Sequence, residues 1–80
     1  MIVADPSNND KKCEYGGSNR VFVLRGGNAN EENCKAACMS DAKCVGFSGI
    51  WNKWCIGCST DLTDNHSGAI AYKFDGSLLP

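Results

Sequence analysis

The sequence lacks both long apolar runs and an excess of charge of one sign. None of its apolar stretches approaches the roughly 20 residues that a helix needs to cross a bilayer, so we expect no membrane insertion. Eight basic and nine acidic residues give a net charge of -1, and the basic residues are scattered along the chain. Because phosphate binding needs a concentrated positive field, nucleic acid is excluded as the expected partner.

The chain also has few of the residues that catalysis uses. His66 is its only histidine, so a histidine-activated nucleophile would have to use it, in a polar segment that favours a solvated side chain. Asp61 and Asp64, beside Asn65, lack the alternating spacing of a calcium loop. We therefore predict that the protein is not an enzyme and has no metal or cofactor.

Cysteine is what the chain has in excess, with six in 80 residues. A domain this small buries only about 60% of the surface of its unfolded chain, and a disulfide typically adds about 2–4 kcal/mol of stability. Such density is typical of an oxidising compartment, so we predict a secreted or extracellular protein. Met1 runs into Asp5 and Pro6 without a signal peptide, which indicates a mature chain or an excised module of a larger secreted or cell-surface protein.

The pattern of the chain predicts strands around one helix, in a single domain over residues 1–80 whose segments 1–12 and 75–80 are loose or at an edge. Runs of β-branched and aromatic residues predict strands at 2–4, 21–24, 45–50, 54–58 and 70–74. The helix is predicted over residues 28–40, capped by Asn28 or by Asn30, with Glu31 and Glu32 in its first turn.

A tight turn at Asn52 and Lys53 would join strands 45–50 and 54–58 into a hairpin. Trp51 and Trp54 would then face each other on one side of it. That side would carry Phe47, Trp51, Trp54, Ile56 and Cys58. The other side would carry Cys44, Gly46, Ser48, Ile50, Cys55 and Gly57, which are mostly small and would let the helix approach closely.

The predicted faces of the helix and the hairpin bring four of the cysteines together. Cys34 and Cys38 are four residues apart and share one face of the helix. We therefore expect the helix to be joined to the hairpin through Cys34, Cys38, Cys44 and Cys55, which leaves Cys13 and Cys58 for each other. Six cysteines permit many pairings, and the pattern alone does not choose among them.

The stretch EENCKAACMSDAKCVGFSGIWNKWC resembles the centre of the PAN/apple domain family, in which C-x3-C on a helix precedes C-x-x-F in a strand and then a further cysteine. The resemblance implies an α+β fold, a small disulfide-rich module with one α-helix packed on a curved antiparallel β-sheet. It also implies the pairs Cys34–Cys55 and Cys38–Cys44. The sixth cysteine of the family usually lies near the C-terminus, whereas Cys58 closely follows Cys55, so Cys13–Cys58 is assigned by elimination.

Two other uses of the cysteines compete with disulfides. Cys55 and Cys58 are spaced as in thioredoxins, but neither a following helix nor a βαβ unit accompanies them. Cys34, Cys38, Cys55 and Cys58 have spacings found in zinc sites, an alternative that would leave Cys13 and Cys44 as free thiols.

PAN/apple domains are non-catalytic extracellular modules that bind proteins or carbohydrates, and the resemblance implies the same here. Exposed tryptophans beside polar neighbours suit a sugar ring. We therefore predict carbohydrate binding at the hairpin tip through Trp51, Asn52, Lys53 and Trp54, with weaker candidates at Tyr15, Arg20 and Arg25. The alternatives are a structural tryptophan pair, a protein-interaction or matrix-assembly module and, last, an inhibitor or defence peptide. Asn65 begins a glycosylation sequon.

Overall fold

The computed structural model of the protein describes residues 2–15 and 18–75. Within these ranges lie one α-helix, α1 (Glu31–Ser40), and seven strands. The strands are β1 (Ile2–Ala4), β2 (Lys11–Lys12), β3 (Arg20–Arg25), β4 (Gly46–Ile50), β5 (Trp54–Cys58), β6 (Asp64–Asn65) and β7 (Ile70–Phe74). Short 3-10 turns occupy Pro6–Asn8 and Gly26–Asn28. The predicted tail at 76–80 lies outside the described residues.

Five of the strands form one antiparallel sheet in the order β1-β7-β4-β5-β3, and β2 and β6 form a separate two-stranded ribbon. The helix packs against the larger sheet, so the predicted small disulfide-rich α+β module is confirmed. The predicted strand at 2–4 is β1, which pairs with β7 at an edge of the sheet. Sequence analysis did not predict β2, which pairs with β6. None of the described helices is long and apolar enough to span a membrane.

The helix begins at Glu31 because Asn30 caps it. The Asn30 side chain accepts a hydrogen bond from the backbone N–H of Asn33 at 2.8 Å, which satisfies one of the free donors of the first turn. Asn28, where the predicted helix began, lies in a 3-10 turn instead. Of the two predicted caps, Asn30 is therefore the one used.

Two cores lie on opposite faces of the sheet. The helix-side core contains the buried residues Ile2, Ala29, Cys34, Cys38, Cys44, Phe47 and Cys55. The loop-side core contains Cys13, Ile56, Cys58, Leu62 and Ala71, with Trp54 packed against it. The sheet is therefore the middle layer of the molecule, covered by α1 on one face and by the loops on the other.

Three disulfides join these layers: Cys34–Cys55, Cys38–Cys44 and Cys13–Cys58. All three predicted pairs are confirmed. Cys34–Cys55 connects α1 to β5, and Cys13–Cys58 connects the N-terminal loop to the same strand on its other face. Each layer is thus fixed covalently to β5, which gives a marginal core the constraint that it needs.

The predicted register of the hairpin is wrong by one residue. Ile50, not Trp51, pairs with Trp54, and the turn holds three residues rather than two. The Lys53 N–H closes the turn on the Ile50 carbonyl at 3.0 Å, with Asn52 at a φ of 67°. Because side chains alternate along a strand, the slip exchanges the faces of β4 while leaving those of β5 unchanged.

Phe47 therefore lies on the helix side with Cys55, while Ser48 lies on the loop side with Ile56. Gly57 in β5 makes room for a side chain of the neighbouring strand. Its paired residue Phe22 fills the space above it, and a Cβ at Gly57 would lie 2.0 Å from the Phe22 ring. A larger residue at position 57 would therefore require the Phe22 ring to move.

Candidate functional site

The two tryptophans do not form the predicted platform. Trp51 packs against the helix-side core, whereas Trp54 packs against the loop-side core. Both side chains are half-buried. They lie on opposite faces of the sheet because the three-residue turn shifts Trp51 out of register with Trp54. A single ligand ring therefore cannot stack on both.

Trp51 instead belongs to an aromatic cluster with Phe47 and Tyr72. The rings of Phe47 and Tyr72 stack with centroids 4.9 Å apart, and the Trp51 ring meets Tyr72 at 5.9 Å and Phe47 at 6.4 Å. These separations are typical of favourable aromatic pairs. Phe47 is fully buried, while Trp51 and Tyr72 are half-buried. The cluster thus combines one buried aromatic residue with two that are partly accessible to solvent.

Two charged residues of α1 border this cluster. The Tyr72 hydroxyl donates a hydrogen bond to Glu31 Oε1 at 2.8 Å, and Lys35 Nζ lies 3.2 Å from Glu31 Oε2. Lys35 Nζ also lies 5.3 Å from the centre of the Tyr72 ring, within the range of a cation–π contact. We call Trp51, Tyr72, Glu31 and Lys35 the Trp51–Tyr72 surface.

The ionisation of this surface follows from its contacts. The hydrogen bond from Tyr72 and the nearby Lys35 ammonium hold the pKa of the Glu31 carboxyl below its usual value. Burial, together with Glu31, raises the pKa of Tyr72 to about 12. At neutral pH Glu31 is therefore a carboxylate and Tyr72 a neutral phenol.

The predicted polar neighbours, Asn52 and Lys53, lie exposed at the tip of the hairpin. The tip is held in place from the side by the loop before α1. The Asn52 N–H donates to the Ala29 carbonyl at 2.8 Å, and the Gly26 N–H donates to the Lys53 carbonyl at 3.0 Å. Asn52 is exposed and follows Trp51, a member of the Trp51–Tyr72 surface, directly in the chain.

The other predicted residues lie elsewhere. The Trp54 ring meets His66 edge-on at 4.8 Å, and Arg25 is its neighbour across the β3–β5 pair. Tyr15 is 81% exposed, and its ring lies 5.1 Å from the Arg20 guanidinium. Arg20 also donates hydrogen bonds to the Cys13 carbonyl at 3.1 and 3.3 Å. The structure therefore divides the predicted site among three places.

The cysteines offer no thiolate in this structure, since all six are in disulfides. Cys55 and Cys58 bond to Cys34 and Cys13 on opposite faces of β5, so they do not form a thioredoxin-type pair with each other. The four-cysteine zinc interpretation is contradicted for the same reason. Across residues 2–15 and 18–75, no group of three or more potential ligands could hold a metal ion.

Sequence analysis missed Tyr72, Glu31 and Lys35 as site residues. The spacing of Glu31 and Lys35, four apart on a helix, did carry a signal, because such residues are neighbours on the helix surface. Nothing in the sequence placed Tyr72 beside them, since β7 lies next to β4 in the sheet although β5 and β6 separate the two strands in the chain.

A second surface feature is an apolar groove beside the Cys38–Cys44 disulfide. Its walls include Met39, Val45 and Phe74, which are 50%, 48% and 37% exposed. An exposed apolar patch can mark a site where another protein binds. The groove is therefore the other candidate for an interaction.

Comparison with protein families, with curated proteins and with solved structures finds no match to this chain. The resemblance to PAN/apple domains therefore stays a prediction.

Proposed function

We propose that the protein is a non-catalytic extracellular recognition module, similar to PAN/apple domains, that binds carbohydrate at the Trp51–Tyr72 surface. The observation that supports the proposal is that two half-buried aromatic residues, Trp51 and Tyr72, lie beside the charged groups of α1. The Tyr72 hydroxyl lies 2.8 Å from the Glu31 carboxylate, and Lys35 Nζ lies 3.2 Å from it. Three disulfides fit an extracellular setting.

The chemistry of a sugar ring matches this surface. The C–H face of a pyranose packs on an aromatic ring, while its hydroxyls need acceptors and donors at the rim. Glu31 supplies acceptors, Lys35 and the Asn52 amide supply donors, and the aromatic side chains supply the apolar floor. Because Glu31 and Lys35 are already held in place, little side-chain freedom would be lost on binding.

The first experiment is a glycan-array screen of the oxidised protein, followed by fluorescence titration of each hit. Two single-tryptophan variants, Trp54→Phe and Trp51→Phe, make the fluorescence specific to one site. We expect a hit to shift the emission of Trp54→Phe, which retains Trp51, and to leave that of Trp51→Phe unchanged. A ligand that perturbs only Trp54 would move the site to the loop-side face and contradict the proposal.

Two side chains of α1 then test the polar rim. Glu31→Ala and Lys35→Ala should each weaken binding by about tenfold or more, since a hydrogen bond to a charged group contributes about 1.5–3 kcal/mol. Lys43→Ala, an exposed lysine away from the surface, is the matched control. Equal affinity in all three variants would exclude this rim.

A second candidate function is protein interaction or matrix assembly, which the exposed apolar groove favours. A glycan screen without hits on folded protein would favour this function. The variants Met39→Glu and Val45→Glu should then abolish capture of an extracellular partner, whereas Lys35→Ala should not. An inhibitor or defence role has no comparable support.

We also propose that Asn65 carries an N-linked glycan when the protein is made in a eukaryotic secretory pathway. Its side chain is exposed in β6, and Ser67 completes the sequon. Expression in such cells should give a mass that falls on glycosidase treatment, and Asn65→Gln should remove the difference. An unmodified wild-type mass would contradict this assignment.

A further inference from the structure

We propose that the outer edge of β3 accepts an extended acidic segment of another protein as a sixth strand of the sheet. This inference does not depend on carbohydrate binding. It rests on the position of β3 at the end of the sheet, on the face its side chains share, and on the charges near one end of the strand.

The strand β3 is an open edge. It pairs with β5 on one side. On its other side, the described residues form no main-chain hydrogen bonds with residues 21–24. Free N–H and C=O groups along an edge are a template for another strand. The opposite edge of the sheet differs, because β1 has only three residues and is followed closely by Pro6. A short edge of that kind resists strand addition.

A register shift in β3 places three side chains on one face of this edge. The shift between Arg20 and Phe22 makes Arg20, Val23 and Arg25 the partners of Cys58, Ile56 and Trp54, which alternate along β5 and so share a face. Val23 is 42% exposed. A strand added outside β3 would therefore meet an apolar position with a cation toward each end, on the loop-side face.

The charge at the hairpin-tip end of β3 selects the partner. Arg25 and Lys53 are both exposed there, and the Gly26 N–H bonded to the Lys53 carbonyl keeps their backbones adjacent. Arg20, at the other end, already donates to the Cys13 carbonyl. A carboxylate opposite Arg25 would gain a favourable cross-strand ion pair.

A second copy of β3 is a poor occupant of this edge. In the antiparallel register that pairs the whole strand, each Arg20 would face an Arg25, and like charges directly opposite are destabilising. The partner that fits is an extended segment with acidic residues two positions either side of a β-branched residue, because such residues share one face of a strand.

The test uses the whole oxidised protein and an acetylated, amidated peptide with the core Glu-Thr-Val-Thr-Glu. Backbone amide shifts in NMR titration should change most at residues 20–25, and Arg25→Glu should weaken binding about fivefold or more by turning attraction into repulsion. Lys43→Glu makes the same change of charge elsewhere and should bind as the wild type does. A peptide with lysine in place of both glutamates should bind the Arg25→Glu variant more tightly than it binds the wild type.

Two further results decide the geometry. A peptide with every backbone amide N-methylated keeps its charges but cannot donate a main-chain hydrogen bond to β3 from either edge, so it should not bind. Equal binding of the methylated peptide would overturn strand addition. If folded protein does not bind the peptide at millimolar concentration, the proposed acidic partner is overturned. Shifts at residues 20–25 that depend on protein concentration alone would also overturn it, in favour of self-association.

Discussion

Tyr72 contacts three parts of the molecule at once: its ring stacks on Phe47 and meets Trp51, and its hydroxyl bonds to Glu31 of the helix. One side chain therefore joins the sheet, the hairpin tip and α1. Its protonation state should therefore affect both the stability of the fold and the proposed binding surface.

Stability should fall at alkaline pH as Tyr72 ionises. Its pKa in the folded protein is about 12, above its ordinary value of 10.0. The neutral phenol is favoured by folding, so this contribution is fully present below pH 10 and is lost as the pH rises toward about 12. We expect tyrosinate absorbance to show a late-titrating phenol that Tyr72→Phe removes. A late step that survives in Tyr72→Phe would contradict the assignment.

Ser48 is a buried polar residue whose hydroxyl forms no hydrogen bond. It is completely buried on the loop-side face of β4, and its hydroxyl has no hydrogen-bond partner. An unsatisfied buried hydroxyl costs about 1–3 kcal/mol, so Ser48→Ala should leave stability unchanged or raise it by about 1 kcal/mol in urea unfolding.

Ser59 provides the opposite case. Its hydroxyl donates to the Ser18 carbonyl at 2.8 Å, so Ser59→Ala should lose about 0.5–1.5 kcal/mol. A marked loss of stability in Ser48→Ala would show that its hydroxyl has a partner in solution.

At the scale of elements, the start of α1 can be tested with its two asparagines. Asn30→Ala should cost about 1 kcal/mol, because it removes the side-chain acceptor of the Asn33 N–H. Asn28→Ala is the matched control and should change stability little, since its backbone carbonyl, which the substitution keeps, is what contacts Asn33. Denaturant unfolding of both variants measures the difference, and equal losses would contradict Asn30 as the cap.

Elements with a local signal could be predicted from the sequence, and their mutual arrangement could not. The bounds of β5 and β7 follow from β-branched and aromatic runs. The sequence narrowed the helix cap to Asn28 or Asn30, and the structure chose Asn30. The register of the hairpin was missed because alternation does not reveal how many residues its turn holds. That single residue separated Trp51 from Trp54 and changed the candidate site.

The site also depended on long-range pairing. The ribbon of β2 and β6 has two residues in each strand, too few for a periodic pattern. Tyr72 reaches Glu31 only because β7 pairs with β4. By contrast, Cys34–Cys55 and Cys38–Cys44 followed from the family resemblance and Cys13–Cys58 from elimination. The two pairs of the helix hold even though one face of the hairpin was misassigned.

At the scale of the whole molecule, the three disulfides should differ in their contribution to stability. They close loops with sequence separations of 45, 21 and 6 residues for Cys13–Cys58, Cys34–Cys55 and Cys38–Cys44. Loop-closure entropy alone gives about 4, 3 and 2 kcal/mol. Replacing each pair by alanine should lower the free energy of unfolding in that order.

Thermal and denaturant unfolding of the three double variants would measure this order. If loss of Cys34–Cys55 proved most damaging, attachment of the helix to β5 would outweigh the entropy of the longer loop. Loss of Cys38–Cys44 should be the mildest in either case, because it closes only a short segment.

The pairing of Ile2 with Phe74 has a mechanical consequence when the chain is stretched by a force applied at these two residues. Force applied at these neighbouring positions acts across β1 and β7 rather than along them, so their hydrogen bonds would break one after another instead of together. Opening would then stop at Cys13–Cys58, which shields everything between the two cysteines from the load. The outer strands would stretch as a tether, while β3, α1, β4 and β5 would remain a folded, unloaded body.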